Sequence, residues 1–244
     1  MKKNVLVILP TLNEENNIKV IFNKFAVLNI SFDVIVIDDG SSDKTIETVN
    51  IFKKKLKKKI SVIIKKRKKR FGIGNAHKLG LNYGYKNNYK FAITMDSDLA
   101  HDPKYLPIIL NKMHETDLAV GSRYLKKNSA KNWTLFRIFL SRTAHSLTKI
   151  FFGHEFDSTN SFRCYNLKNV DKNFINFCKG EHYDFFFTSM AILNKKRYRI
   201  KEFSMNVYGR GNGYSKMNIF LIIRSVVLFF VVYLRINSKL NSRF

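Results

Sequence analysis

A short apolar segment that runs into two acidic residues decides the fold class: Phe91-Ala-Ile-Thr-Met95 is followed directly by Asp96-Ser-Asp98. The apolar part has the length of a buried strand. A turn after a strand breaks the alternation of side chains, so both carboxylates can converge on one hard cation such as Mg²⁺. Asp-x-Asp alone more often forms a turn or a helix cap, so its meaning depends on the sequence around it.

Strand and helix signals alternate on the N-terminal side of this segment. Short β-branched runs predict strands at residues 5–9, 33–37 and 60–64, and amphipathic stretches between them predict helices. Strands joined by helices of this length form right-handed crossovers and therefore a mainly parallel sheet. Ligands of such α/β sheets bind beyond the carboxyl ends of the strands. Acidic residues follow two of these ends: Asp38, Asp39, Asp96 and Asp98.

Helix ends and one long helix can also be predicted from residue type. Asn13 is placed to cap the first helix, and Ser42 or Asp43 to cap the second. Trp133 to Phe152 predicts an amphipathic helix whose apolar face packs mostly on the core. Its last two phenylalanines are candidates for contact with lipid.

Composition and charge limit the function classes. The chain has 244 residues, 45% of them apolar, enough to bury the core of one large α/β domain. A net charge of +26 indicates a polyanionic partner, such as an anionic membrane surface or a phosphorylated substrate. The basic runs at residues 53–59 and 65–70 contain no aromatic residue and match no nucleic-acid motif, so nucleic acid is not predicted as a partner. Two cysteines without a Cys-x-x-Cys pair exclude a disulfide scaffold and fit a reducing cytosol.

The C-terminal segment predicts contact with a membrane. We divide the chain into a domain at residues 1–217 and a membrane-associating helix at residues 218–244. Ile219 to Leu234 is apolar except for Arg224 and Ser225. As a helix it would be about 24 Å long, short of the roughly 30 Å hydrocarbon core, so an interfacial helix on the cytoplasmic face is predicted. A single C-terminal anchor, burial against the protein's own core and docking on a small membrane subunit are the alternatives.

Eight short motifs follow one another between residues 10 and 216. In chain order they are Pro10-Thr-Leu-Asn-Glu14, Asp38-Asp-Gly-Ser-Ser-Asp43, Phe71-Gly-Ile-Gly74, Asp96-Ser-Asp-Leu-Ala-His-Asp-Pro103, Val120-Gly-Ser-Arg-Tyr124, Leu140-Ser-Arg142, Asp157-Ser-Thr-Asn-Ser-Phe-Arg163 and Arg210-Gly-Asn-Gly-Tyr-Ser-Lys216. Together they resemble glycosyltransferase family 2, and within it the dolichyl-phosphate mannosyltransferases and their bacterial polyprenyl-phosphate relatives. The resemblance extends from residue 4 to about residue 217, and the ordered set is far more specific than any single motif.

The resemblance implies a fold, a cofactor and a reaction. The fold is an α/β nucleotide-binding domain of GT-A type with a mainly parallel central sheet and a helical C-terminal extension. The reaction is an inverting transfer of a hexose from a nucleotide sugar, with GDP-mannose as the first donor to consider, to a polyprenyl phosphate. A Mg²⁺ or Mn²⁺ ion is the implied cofactor.

The resemblance also implies roles for individual residues. Donor contacts are implied for Pro10, Leu12, Glu14, Asp38, Asp39, Arg210 and Lys216. Metal contacts are implied for Asp96 and Asp98. Catalytic contacts with the diphosphate or the acceptor phosphate are implied for Asp98, Arg123, Arg137 and Ser141.

Two departures from the family pattern leave the acceptor open. Asn160-Ser161 stands where the family usually has Ser-Gly, and Thr188 stands where it often has Glu. A saccharide hydroxyl acceptor would need a general base, for which Asp157 and Asp184 are the candidates. A non-catalytic basic protein that binds anionic lipid or nucleic acid is the alternative from another class. His101, beside the acidic pair, is expected to support the motif rather than to bind a metal.

Overall fold

The computed structural model describes residues 4–153, 155–178, 180–209 and 219–237. The strands are β1 (Val5–Thr11), β2 (Asp33–Asp38), β3 (Ser61–Lys66), β4 (Phe91–Thr94), β5 (Leu118–Ser122), β6 (Ala130–Lys131), β7 (Arg163–Asn166), β8 (Ile200–Ser204) and β9 (Val207–Tyr208). The helices are α1 (Glu15–Val27), α2 (Thr45–Lys55), α3 (Ile73–Lys86), α4 (Leu106–Asn111), α5 (Leu135–Phe152), α6 (Phe174–Phe177), α7 (Asp184–Lys195) and α8 (Ile219–Asn237), with short 3₁₀ turns on both sides of α4.

Seven strands form the central sheet, in the order β3-β2-β1-β4-β7-β5-β8. Strands β1 to β4 pair in parallel, as do β5 and β8, whereas β7 is antiparallel to both β4 and β5. Every residue of β1 and β2 is buried, which explains their continuous apolar runs, since a parallel sheet is covered on both faces. The predicted α/β fold with a mainly parallel sheet is confirmed.

The hydrophobic core lies on the two faces of this sheet. One cluster packs β1 and β2 against α1, α2 and α4, and the other packs the opposite face against α3, α6 and α7. The sheet is therefore enclosed between two layers of helices. This leaves the strand ends and the loops that follow them as the open edges of the domain.

The loops after β1 and β2 brace each other at the starts of α1 and α2. Asn13 does not cap α1 as expected, because its φ is 53° and its side-chain oxygen accepts the Ser42 amide (2.8 Å). The helix begins instead at Glu15, whose amide donates to the Asp43 carboxylate (3.2 Å). Asp43 also accepts the amide of Thr45, the first residue of α2 (3.0 Å). One carboxylate thus supports the first turns of both helices.

The apolar face of α5 is exposed, so the expectation that it packs mostly on the core is wrong. Thr134 caps the helix, and Thr148 is the one buried residue of α5. Large apolar side chains are open to solvent along it, with exposed fractions of 85, 70, 65 and 73% for Leu135, Phe136, Phe139 and Ile150. Its end contacts α8, and of its last two residues Phe152 also packs against the core cluster on the α3 side of the sheet.

Helix α8 carries exposed apolar side chains and packs on the end of α5. The Phe151 ring lies 5.5 Å from that of Phe229 and 4.9 Å from that of Tyr233, and Phe152 also contacts Phe229 (5.0 Å). Among the described residues, no helix combines the length and the apolar character needed to cross a membrane. The division of the chain at residue 217 stays a prediction.

Candidate active site

The carboxyl ends of β1, β2 and β4 meet at one edge of the sheet, and the loops after them are bonded together. The Asp39 amide donates to the Thr11 carbonyl (2.9 Å), and the Ser97 hydroxyl donates to the Pro10 carbonyl (2.7 Å). Pro10 is buried in β1, and the half-buried Leu12 follows it. Because β1 lies between β2 and β4, the two acidic segments flank one strand end. This is the edge at which α/β sheets bind ligands.

Asp96 and Asp98 lie in the turn after β4, where burial makes it costly to ionise them. Oδ1 of Asp96 is buried and has no hydrogen-bond partner among the described residues. Burial raises the pKa of Asp96 to about 6, against the opposing effects of the Ser161 hydroxyl and the charges of Arg123 and Arg137. Burial and the neighbouring Asp96 also raise the pKa of Asp98. A divalent cation would stabilise the ionised form of both carboxylates, so the pair is suited to bind one.

His101 supports this acidic turn and is not placed as a ligand. Its Nδ1 accepts the Asp96 amide (3.1 Å), and burial lowers the pKa of His101 to about 4, so the ring is neutral near pH 7. In the described part of the chain, no three His, Cys, Asp or Glu side chains converge as a metal site. A cation held by Asp96 and Asp98 would therefore need oxygens from substrate or water to complete its shell, as Mg²⁺ usually does.

Asp39 organises the loop between β3 and α3. Its two carboxylate oxygens accept the amides of Phe71 (2.8 Å) and Gly72 (2.9 Å), and Arg67 pairs with it at 2.8 Å. Gly72 has a φ of 91°, and a Cβ there would lie 2.5 Å from the Glu181 carbonyl oxygen, so this loop requires glycine. The structure thus shows what holds Asp39, and its contact with a donor stays a prediction.

Two further predicted donor-binding carboxylates, Asp38 and Glu14, also bond to neighbours. Asp38 is fully buried and accepts the Ser41 amide (3.2 Å), which closes the turn after β2. Glu14 is buried, and the Asn17 side-chain amide donates to it (2.5 Å). The Glu14 amide donates to the Thr45 hydroxyl (2.8 Å) and so ties the loop after β1 to α2. These residues hold the loops after β1 and β2 in place, and their donor contacts stay predictions as well.

Arg123 follows β5 and forms a buried ion pair with Asp157. Its Nε and Nη2 donate to the two carboxylate oxygens (2.8 and 2.6 Å), and Nη2 also donates to the Thr159 hydroxyl. Burial would raise the pKa of Asp157, but the charge and the hydrogen bonds of Arg123 lower it overall. The pair fixes the guanidinium in place within electrostatic range of Asp96.

Arg137 and Ser141 lie one turn apart on α5 and face this group. The Arg137 guanidinium is 4.0 Å from the ring centre of Trp133 and makes no hydrogen bond or ion pair with the described residues. Its charge acts on Asp98. The Ser141 hydroxyl is 2.8 Å from the Tyr124 hydroxyl, which also donates to the Ser141 carbonyl (2.9 Å). The structure therefore brings Arg123 and Arg137 within electrostatic range of the acidic pair and places Ser141 against Tyr124, the residue next to Arg123.

Several residues of this site were not identified from the sequence. Trp133 contacts both arginines, and Tyr124 stacks on His145 at 3.9 Å. Burial and the nearby carboxylates of the acidic pair raise the pKa of Tyr183 to about 12. Tyr124 lies inside one motif and Asp157 begins another, but no periodicity indicates contacts between residues so distant in the chain. Arg210 and Lys216, predicted to close over the diphosphate, lie outside the described residues.

Two curated proteins are similar to this chain in sequence. The chain is 29% identical over 221 residues to polyprenol monophosphomannose synthase of Mycolicibacterium smegmatis, covering 88% of this chain and 82% of the relative. It is 30% identical over 149 residues to dolichol-phosphate mannosyltransferase of Pyrococcus furiosus, covering 60% of this chain but only 40% of that longer protein.

Solved structures share the fold at low sequence identity. Glucosyl-3-phosphoglycerate synthase of Mycobacterium tuberculosis, solved with Mn²⁺, UDP and glucosyl-3-phosphoglycerate, superposes with a TM-score of 0.66 at 14% identity, covering 96% of this chain and 80% of that one. S. aureus TarS gives a TM-score of 0.58 at 19% identity, covering 98% and 67%. A family model described as glycosyl transferase family 2 matches residues 6–195. The chain belongs to glycosyltransferase family 2.

Proposed function

We propose that this protein transfers a hexose from a nucleotide sugar to a polyprenyl phosphate, with inversion at the anomeric carbon. The observation that carries the proposal is the state of Arg137, whose guanidinium has no anionic partner among the described residues yet acts on Asp98. A cation in this position is arranged to receive a second anion beside the donor site. The names of both sequence relatives, one a polyprenol and one a dolichol-phosphate mannose enzyme, support the same acceptor class.

The proposed chemistry needs positioned cations more than a base. An oxygen of the acceptor phosphate forms a bond to the anomeric carbon while the bond from that carbon to the nucleoside diphosphate breaks. A phosphate monoester is already anionic near pH 7, so no side chain has to accept its proton. Arg123 and Arg137 would hold this anion in line and stabilise it by charge-assisted hydrogen bonds.

The geometry argues against one of the two candidate bases of the saccharide-hydroxyl alternative. Asp157 is held by Arg123 and its pKa is lowered, so it is a poor proton acceptor. Asp184 is buried at the start of α7 and accepts the His182 amide (3.2 Å). Asp157 is therefore not placed to take a proton from a sugar hydroxyl, which leaves Asp184, whose buried Oδ2 has no hydrogen-bond partner among the described residues.

We propose Asp96 and Asp98 as the protein ligands of a Mg²⁺ or Mn²⁺ ion. Such an ion, when bound, neutralises the charge that develops on the departing diphosphate. The buried, unpartnered Oδ1 of Asp96 supports the assignment, as do the complexes of the M. tuberculosis synthase with Mn²⁺ or Mg²⁺ and UDP. GDP-mannose is the first donor to test, and UDP-hexoses are the next.

We also propose that α5 and α8 seat the protein on an anionic membrane, at its cytoplasmic face. The exposed apolar residues of α5 lie on the helix that carries Arg137, so contact with lipid would bring the acceptor phosphate to the site. Large apolar side chains are exposed on α8 too, including Phe220, Val227 and Leu234. The net charge of +26 favours anionic headgroups. A small membrane subunit is the competing partner for these helices, and binding of the isolated protein to vesicles would argue against its being required.

Transfer of radiolabel to lipid tests the function. Labelled GDP-mannose and UDP-glucose are incubated with undecaprenyl or dolichyl phosphate in detergent with Mg²⁺ or Mn²⁺, and the label that extracts into organic solvent is counted. Arg137→Ala is expected to raise the acceptor KM about 10-fold or more. Lys149→Ala, which removes a charge at the other end of α5, serves as the matched control. Label that never reaches the lipid phase with any common nucleotide sugar would contradict the proposal.

A further inference from the structure

Trp133 lies between two arginines at the entrance to α5. Its ring centre is 4.0 Å from the guanidinium carbon of Arg137 and 5.5 Å from that of Arg123. The next residue, Thr134, caps the helix by accepting the Arg137 amide (3.3 Å), which fixes where Arg137 leaves the helix. One indole therefore contacts both cations that face the acidic pair.

The two arginines are held in different ways. Arg123 donates to Asp157 and Thr159 and is fixed by them. Among the described residues, no carboxylate forms an ion pair with Arg137 and no acceptor takes a hydrogen bond from its side chain. Asp98 and Asp96 attract the guanidinium without direct contact, and the indole face is the group that contacts it. A carboxylate would occupy the N–H donors of the Arg137 guanidinium and neutralise its charge. An aromatic face attracts the guanidinium and leaves its N–H groups available.

The chemistry of the indole argues against a role in packing alone. Nε1 of Trp133 is buried and meets no acceptor in the described part of the chain. A buried N–H without a partner costs free energy. A leucine or a phenylalanine would fill this space beside the core without that cost. What tryptophan adds is the strongest cation–π face of any side chain.

We propose that Trp133 is a positioning residue that holds the Arg137 guanidinium, beside Arg123, where the acceptor phosphate enters. The inference deepens the proposed function and rests on it. Two neighbouring guanidinium groups repel each other, and an aromatic face shared between them offsets the repulsion without neutralising either charge. The result is a fixed pair of cations with donors available for a phosphate monoester.

Fluorescence of the ligand-free protein tests the contact directly, because Trp133 is the one tryptophan of the chain. Arg137→Ala is expected to shift its emission, and Lys149→Ala to leave the emission unchanged. Farnesyl phosphate, a short isoprenyl phosphate monoester, is expected to change the wild-type emission saturably but not that of Arg137→Ala. Identical emission of ligand-free wild type and Arg137→Ala would overturn the proposal, whatever the substrate proves to be.

Kinetics of Trp133→Leu and Trp133→Phe separate positioning from packing. The leucine variant is expected to raise the acceptor KM roughly 10-fold, and the phenylalanine variant to recover most of that loss because it keeps an aromatic face. The donor KM and the melting temperature are expected to stay near wild type in both. An unchanged acceptor KM in Trp133→Leu would overturn the proposal, and so would equal losses in both variants with a raised donor KM.

If no polyprenyl phosphate accepts label, the proposed function fails, while the emission of the ligand-free protein still decides whether Trp133 holds Arg137.

Discussion

At the scale of single residues, the acidic pair after β4 is expected to destabilise the folded protein, and a cation bound there would offset this effect. A carboxyl whose folded-state pKa is raised lowers the free energy of unfolding once the pH exceeds its unfolded pKa, and Asp96 and Asp98 are both shifted this way. Asp98→Asn is therefore expected to raise the melting temperature of the metal-free protein by roughly 2–4 °C. It should also abolish the added stability from Mn²⁺ with a nucleoside diphosphate, and lower kcat by about 100-fold or more.

Thermal unfolding with and without Mn²⁺, GDP and UDP measures this effect. The control is Asp171→Asn, which removes an exposed carboxylate that only bonds within its own turn. It should change neither the metal-free melting temperature nor the response to Mn²⁺. An Asp98→Asn variant that keeps the full Mn²⁺-dependent shift would refute Asp98 as a ligand.

His77 makes stability depend on pH. It is fully buried on α3 against the rings of Phe185 and Phe186, and burial lowers its pKa to about 3. The unfolded chain takes up a proton near pH 6.5 that the folded chain does not, so stability falls as the pH falls below 6.5. Between pH 7 and pH 5 this costs about 2 kcal/mol. In urea unfolding, the free energy of unfolding of His77→Leu should fall by about 2 kcal/mol less than that of wild type between pH 7 and pH 5. The same pH dependence in both proteins would exclude this role of His77.

Residue contacts could be predicted from the sequence only in part. The positions of Asp96 and Asp98 follow from local pattern, because a buried strand and the turn after it are close in the chain. The pair of Arg123 with Asp157 joins residues 34 apart, and no periodicity indicates it. The burial of Arg163 in β7 could not be predicted from the sequence either. It depends on hydrogen bonds from the guanidinium to the carbonyls of Ser158 and Asn160 and to the Ser189 hydroxyl, which no local pattern indicates.

At the scale of elements, α5 shows why a helix is easier to predict than its surroundings. Its 3.6-residue pattern has the same form whether the apolar face meets a core or a membrane. The prediction also began the helix at Trp133, whereas Thr134 caps it and Leu135 is its first residue. The parallel strands were predicted more securely, since their continuous apolar runs follow from burial on both faces.

The exposed face of α5 predicts binding to vesicles. Phe136→Ser with Phe139→Ser should weaken binding to vesicles that contain anionic lipid by about 10-fold or more, because each buried phenylalanine contributes roughly 1.5–3 kcal/mol. Flotation assays measure the bound fraction. Val27→Ser, which removes an apolar side chain that is 80% exposed at the end of α1, is the matched control. Equal binding of all three proteins would rule out α5 as the lipid-facing helix.

At the scale of the whole molecule, two surfaces divide the work in this account. In the proposed function, the edge formed by β1, β2 and β4 would hold the donor, and the helices α5 and α8, with their exposed apolar side chains, would face the lipid that carries the acceptor. Arg137 belongs to both, because it stands on α5 and its charge acts on Asp98. The net charge of +26 suits two substrates that both bear phosphate.

The proposed function requires that the carboxyl-end edge of the sheet bind a nucleotide sugar through a cation held by Asp96 and Asp98. The most direct measurement is the anomalous difference map of a crystal grown with Mn²⁺ and GDP or UDP. We expect a manganese peak about 2.1 Å from oxygens of both carboxylates, with the diphosphate bound to the metal and the base on the Asp39 side of β1. A nucleotide bound at another edge, or manganese held away from this pair, would contradict it.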